Sequence, residues 1–94
     1  MELITMGSLP DEVLFRIAIR FQNELVLKCP VLTGRLRSSI VVKVKGNTLI
    51  VTMAEYGIHV EFGTNRQRPN PFVRNAIHTK LNNIIQEEIE KYYS

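Results

Sequence analysis

The stretch from Pro10 to Pro30 carries more apolar side chains than one helix face can bury, and this constrains the fold more than any other feature. Val13, Leu14, Ile17, Ala18, Phe21 and Leu25 recur at steps of three and four, the spacing of a stripe down an α-helix. Ser8, Pro10 and Asp11 supply start signals: a capping hydroxyl, an early proline and an acid. Cys29 precedes Pro30, and a residue before proline disfavours the helical region. The pattern predicts a helix over about 10–28. Phe15, Ile19, Val26 and Leu27 lie off the stripe, so this helix is apolar over more than half its girth and needs cover on two sides.

A chain of 94 residues makes one domain, 1–94, with residues 1–7 expected as a flexible lead. It buries roughly 60–65% of its unfolded surface, which leaves stability thin. Oligomerisation is a common remedy, and another subunit could supply the second cover for the first helix.

The middle of the chain reads differently. Thr33 can cap a short helical turn in which Leu36 and Ile40 point inward. Residues 40–45 and 48–53 are β-rich and flank Gly46-Asn47, which predicts a β-hairpin. Lys43 and Lys45 alternate with valines, so one face of the first strand is expected in solvent. A lone hairpin is marginal in water and must pack on a helix or extend a larger sheet. Residues 55–62 fit two templates. Tyr56, Ile58, Val60 and Phe62 alternate as a third strand would, yet Tyr56, Val60 and Ile58 could equally line a short helix. Asn70 and Pro71 then announce a last helix, with Val73, Ile77, Leu81, Ile84, Ile85 and Ile89 as its stripe. The expected fold is α+β: an N-terminal helix, a short helical turn, an antiparallel hairpin, a short segment, a loop, and a long C-terminal helix packed on the sheet.

Catalytic constellations are hard to find. His59 and His78 are far apart and neither has a second ligand at metal spacing. No serine stands in a nucleophile elbow, and no Cys/His pairing is legible. Glu61 has no partner carboxylate near it in sequence; an ion pair with Arg66, Arg68 or Arg35 is the expected role. The glycines do not form a phosphate-cradling loop. No catalytic, cofactor-binding or metal residues are assigned. The lone cysteine, Cys29, excludes an internal disulfide and fits a reducing compartment. No apolar run reaches the length of a bilayer span, and MELITMGS lacks the apolar core of a signal peptide.

The formal charge of +3 is a mild basic excess. Arg35, Arg37, Lys43, Lys45, Arg66, Arg68, Arg74 and Lys80 crowd the middle and late chain, offset there only by Glu55 and Glu61. Gathered on one face they could meet phosphates, so a small nucleic-acid-binding module is the alternative reading. Against it, the stacking aromatics of a single-strand binder and a helix-turn-helix spacing are both missing.

Three segments carry a resemblance. Pro30 to Ile40, PVLTGRLRSSI, resembles P-x-x-T-G-x-L-x-x-S-I. Tyr56 to Thr64, YGIHVEFGT, resembles Y-A-x-x-V-E-F-G-T, with Gly57 in place of alanine. Arg68 to Ala76, RPNPFVRNA, resembles R-P-x-P-F-L-R-P-A, with Asn75 in place of proline. In this order, with a hairpin between the first two, the chain resembles the tail-completion or head–tail joining proteins of long-tailed bacteriophages and prophages. The resemblance implies a non-enzymatic virion protein without cofactor, made in the host cytoplasm and placed in the virion neck. Such proteins form rings, often hexameric, between the head connector and the tail tube, with genome DNA passing along the axis unread. Its motif and assembly residues here are Thr33, Gly34, Arg35, Leu36, Tyr56, Glu61, Phe62, Gly63, Thr64, Arg66, Arg68, Pro69, Pro71 and Phe72. On this reading Phe72 anchors the last helix, while Arg66 and Arg68 face a neighbouring subunit or the channel. The hairpin could also join a neighbour's sheet by its edge.

Overall fold

The computed structural model describes residues 3–30, 34–65 and 68–94, with Leu3 described by its backbone alone. The α+β architecture is the one observed. Strands β1 (Leu3–Thr5), β2 (Val41–Lys45) and β3 (Thr48–Thr52) form an antiparallel sheet in the order β1-β3-β2. The hairpin turns at Gly46-Asn47, where Gly46 takes φ 62°, a value glycine adopts at little cost. Val42 pairs with Val51 and Val44 with Leu49, while Ile4 faces Leu49 from the other side. This register puts the apolar set on the core face and leaves Lys43 and Lys45 exposed.

No element is predicted before Ser8, yet β1 lies there, and it fills the edge of β3 that the hairpin leaves open. The third strand comes from the N-terminus rather than from 55–62. The outer edge of β2 is partly closed as well: Gln22 Oε1 accepts from the Val42 N–H at 2.9 Å. Lysines on an edge strand and a short β1 both discourage sheet-to-sheet pairing. The expectation that the hairpin joins a neighbour's sheet therefore has little support from the edges.

Helix α1 runs Asp11–Lys28, and all six predicted stripe residues are buried. Ser8 does not cap it. Pro10 holds the N-cap position with no side-chain bond, and Asp11 and Glu12 face the positive helix end. One side of α1 covers β2, and another lies against the C-terminal helix. Phe15, Ile19 and Leu27 stay exposed at 56, 62 and 73%. The two-sided cover this helix calls for is not completed among the described residues.

Two short helices follow, α2 (Arg35–Ser39) and α3 (Gly57–Phe62). The C-terminal helix has three parts: α4 (Phe72–Ala76), a π-helical turn (Ile77–Leu81) and α5 (Asn82–Tyr93). Val73, Ala76, Leu81, Ile84 and Glu88 are buried along it, and Ile77 packs against the core, so the predicted stripe through Val73, Ile77, Leu81 and Ile84 reaches the core while Lys80 stays in solvent. Thr79 Oγ1 donates to the Asn75 carbonyl at 2.7 Å within this turn.

Candidate functional site

The site centres on a buried carboxylate. Glu61 sits on α3 at 4% exposure. Its Oε1 accepts from the Val73 N–H at 2.9 Å, and its Oε2 accepts from the Arg74 N–H at 3.0 Å. These are the second and third amides of a helix that starts at Phe72, the groups an N-cap side chain ordinarily serves. Asn70, expected to cap, does not: the helix has no side-chain cap bond from its N-cap residue, Pro71. The cap comes from another helix. Its first turn also has no acid of its own, so Glu61 brings the negative charge that the positive helix end favours.

Arg74 closes the clamp from the other direction. Its Nε donates to Glu61 Oε2 at 3.0 Å, and its Nη2 donates to the Glu61 carbonyl at 2.9 Å. The guanidinium also lies over the Phe62 ring, 4.7 Å from its centroid, a cation–π contact. The Asn70 N–H donates to the Val60 carbonyl at 2.7 Å, tying the loop exit to α3. Helix α3 ends at Gly63, whose φ of 78° suits glycine and whose N–H donates to the His59 carbonyl. The partner of Glu61 is thus Arg74 and a helix terminus, a correction to the expected pairing with Arg68 or Arg35; Arg66 lies outside the described residues.

The first resembling segment joins the same construction. Leu36 on α2 is buried, and Gly34 precedes it with φ 78° at the helix start. Ser39 Oγ accepts from the Ala54 N–H at 2.9 Å, which ties the end of α2 to the chain entering α3. A Cβ on Gly57 would fall against Met53 Sδ and Cγ and within 3.0 Å of Leu36 Cδ1. The space a larger residue at 57 would need is taken by Met53.

Other expected site residues fall where their chemistry allows. Phe72 is 2% exposed and anchors the last helix, as expected. Tyr56 packs against the core, with its hydroxyl buried and without a hydrogen-bond partner among the described residues. Phe62, Thr64, Arg68 and Pro69 are exposed, Pro71 is half-buried, and Arg35 is at the surface. Thr33 lies outside the described residues. Arg74 was missing from the expected set because an arginine in a helical first turn reads as surface until its partner is known.

A second carboxylate is buried at the other end of the long helix. Glu88 Oε2 lies 2.9 Å from Arg20 Nη1 and 3.6 Å from Lys91 Nζ, and Glu87 Oε1 accepts from Arg20 Nη2 at 2.6 Å. Burial pushes the Glu88 carboxyl up, but the hydrogen bond from Arg20 and the charges of Lys91 and Arg20 outweigh it, and the net shift is downward. Cys29 is buried and its thiol is pushed up by burial, partly offset by the charge of Arg37. That environment disfavours the reactive thiolate.

Among the described residues no group of three or more His, Cys, Asp or Glu could hold a metal ion. No helix there is long and apolar enough to cross a membrane. No protein-family model matches the chain, and no curated protein or solved structure matches it. What the arrangement can do chemically is hold charge and shape. Glu61 uses three of its carboxylate lone pairs on donors of its own chain, the Val73 and Arg74 amides and Arg74 Nε.

Proposed function

We propose that the chain is a non-enzymatic structural subunit of a tailed virus, a head–tail joining or tail-completion protein that assembles into a ring in the virion neck. The observation that carries this reading is the convergence of the three resembling segments. Leu36 and Ser39 of the first contact the entrance to the second, and Glu61 of the second clamps the start of the third. Segments that are separate in sequence meet, and together they fix the helix end at Gly63 and the helix start at Phe72. An exposed Arg68, and an exposed Phe62 under Arg74, suit a contact surface better than a reaction centre.

The exposed apolar side of α1 supports the same conclusion. Phe15, Ile19 and Leu27 are exposed and find no cover among the described residues, as in a protomer that meets neighbours through different patches on its two sides. Its partners would be copies of itself, the head connector and the tail tube, with genome DNA nearby but unread. The alternative, a small basic nucleic-acid-binding module, rests on the cations of residues 35–80. A duplex binder of that kind would lose affinity steeply with salt.

The test is genetic and structural together. Removing the coding sequence from the virus or prophage that carries it should leave filled heads and finished tails unjoined, with joining restored by the wild-type chain. Normal yields of joined particles without the chain would overturn the proposal.

A further inference from the structure

The charges of the C-terminal helix are sorted the wrong way for a helix on its own. Arg74 and Lys80 stand in its first half, while Glu87, Glu88 and Glu90 stand in its last turns with Lys91 as the one cation there. The macrodipole favours the reverse order. Inside the chain Glu61 offsets the problem at the first end and Arg20 at the second, but Glu90 makes no ion pair with a described residue and is exposed. At about 1.5 Å per residue the two ends of this helix lie about 30 Å apart, too far to meet within one copy.

Each end also carries exposed aromatic or aliphatic surface. Near the first, Ile58 and Phe62 stand one helical turn apart on α3 at 47 and 55% exposure, with Arg74 over Phe62 and Arg68 in the adjoining loop. At the second, Tyr92 and Tyr93 are 41 and 68% exposed and pack edge to face at 5.0 Å. A shallow hollow of about 350 Å³ at the same end of the helix is lined by Glu87, Glu90, Lys91 and Ser94. With Arg74 paired to Glu61 and with Glu87 and Glu88 paired to Arg20, the first end shows the exposed cation Arg68 with apolar side chains and the second the exposed acid Glu90 with tyrosines.

We propose that these two ends are partners: the Ile58–Phe62–Arg68–Arg74 patch of one copy receives the Glu90–Tyr92–Tyr93 end of another. The contact is head to tail, so each copy keeps a free patch of the opposite kind, and repetition closes a ring or continues a filament. Arginine meets glutamate and tyrosine, and the two apolar side chains of α3 lie against the tyrosine rings. This rests on the reading of the chain as an assembly subunit, and it names the surfaces that assemble.

The experiment uses the full chain in sedimentation velocity over a concentration series, with circular dichroism to check folding. Wild type should self-associate, and association should weaken as salt rises from about 50 to 500 mM, because screening shortens the reach of exposed charges. Arg68→Glu and Glu90→Lys should each remain folded and associate on the order of tenfold more weakly. Mixing the two variants should restore association, because the reversed charges then complement one another in alternating copies. Wild type that stays monomeric at all concentrations, or association unchanged in both variants, or variants that fail to rescue each other, would each overturn the pairing. The ring reading has a separate test in the joining of heads to tails, so loss of the pairing with joining still dependent on the chain would show that a different surface assembles.

Discussion

Two buried glutamates serve the long C-terminal helix, Glu61 from α3 at its start and Glu88 on its own later turns, at 4 and 3% exposure, and their surroundings differ in kind. Glu61 accepts two backbone amides and one guanidinium, all from a helix to which it does not belong. Glu88 is paired with side chains alone, from Arg20 and its neighbour Lys91. Burying a carboxylate is costly, and only specific donors offset it. At Glu61 those donors include orphan amides that would otherwise be left unsatisfied, so removing it damages two elements at once. At Glu88 the donors are long side chains that can turn back to water. The first carboxylate defines where the loop leaves α3 and where the last helix begins; the second fastens two helices already held by apolar packing.

Substitution separates the two cases. Glu61→Ala should lower stability by about 3–5 kcal/mol, since it leaves buried donors and a half-exposed Arg74 without their acceptor. Glu88→Met should cost less, about 1 kcal/mol, because the Arg20 and Lys91 side chains it leaves are more than a third exposed and can turn to water, and Arg20 still has Glu87. Denaturant unfolding checks both. Equal losses at the two positions would remove the distinction.

Acid sharpens the comparison. The Glu88 carboxyl is held below its ordinary value of about 4.5. A lowered carboxylate adds stability that is fully present above its unfolded pKa and is lost as pH falls through the folded one. Stability should therefore hold from neutral pH down to about 4.5 and then decline, and Glu88→Met should flatten that decline. Thermal unfolding from pH 7 to 3 measures it; an identical acid slope in wild type and variant would remove Glu88 from the account.

The smallest effect belongs to the joint between α2 and α3. Gly57→Ala should cost about 1–2 kcal/mol, as overpacking does, because the new methyl meets Met53. With Met53→Ala also present the added cost should shrink, giving a coupling of about 0.5–1 kcal/mol in a double-mutant cycle. Purely additive losses would mean that the two side chains do not share the space.

The sequence showed most of the fold and little of the site, for reasons that differ by element. Helix α1 and the hairpin were legible because their apolar residues repeat with the period of the element they build. Strand β1 was not, since Leu3-Ile4-Thr5 is too short to alternate and is fixed only by pairing with β3. The 55–62 segment alternates like a strand, yet it is a helix with Ile58 and Phe62 out and Val60 and Glu61 in. Nothing in periodicity predicts a buried glutamate, because its burial depends on amides that reach it only after the chain folds back. Leu81 and Ile84 are buried as their spacing predicts, but no periodicity marks the π turn at Ile77–Leu81.

The central claim, that this chain is a building block of a virion neck, is met most directly by electron cryomicroscopy of particles from the virus or prophage that encodes it. The account predicts a ring of density between head connector and tail tube into which the sheet, α1 and the long C-terminal helix fit in repeated copies. Joined particles whose neck contains no density of that shape would contradict it.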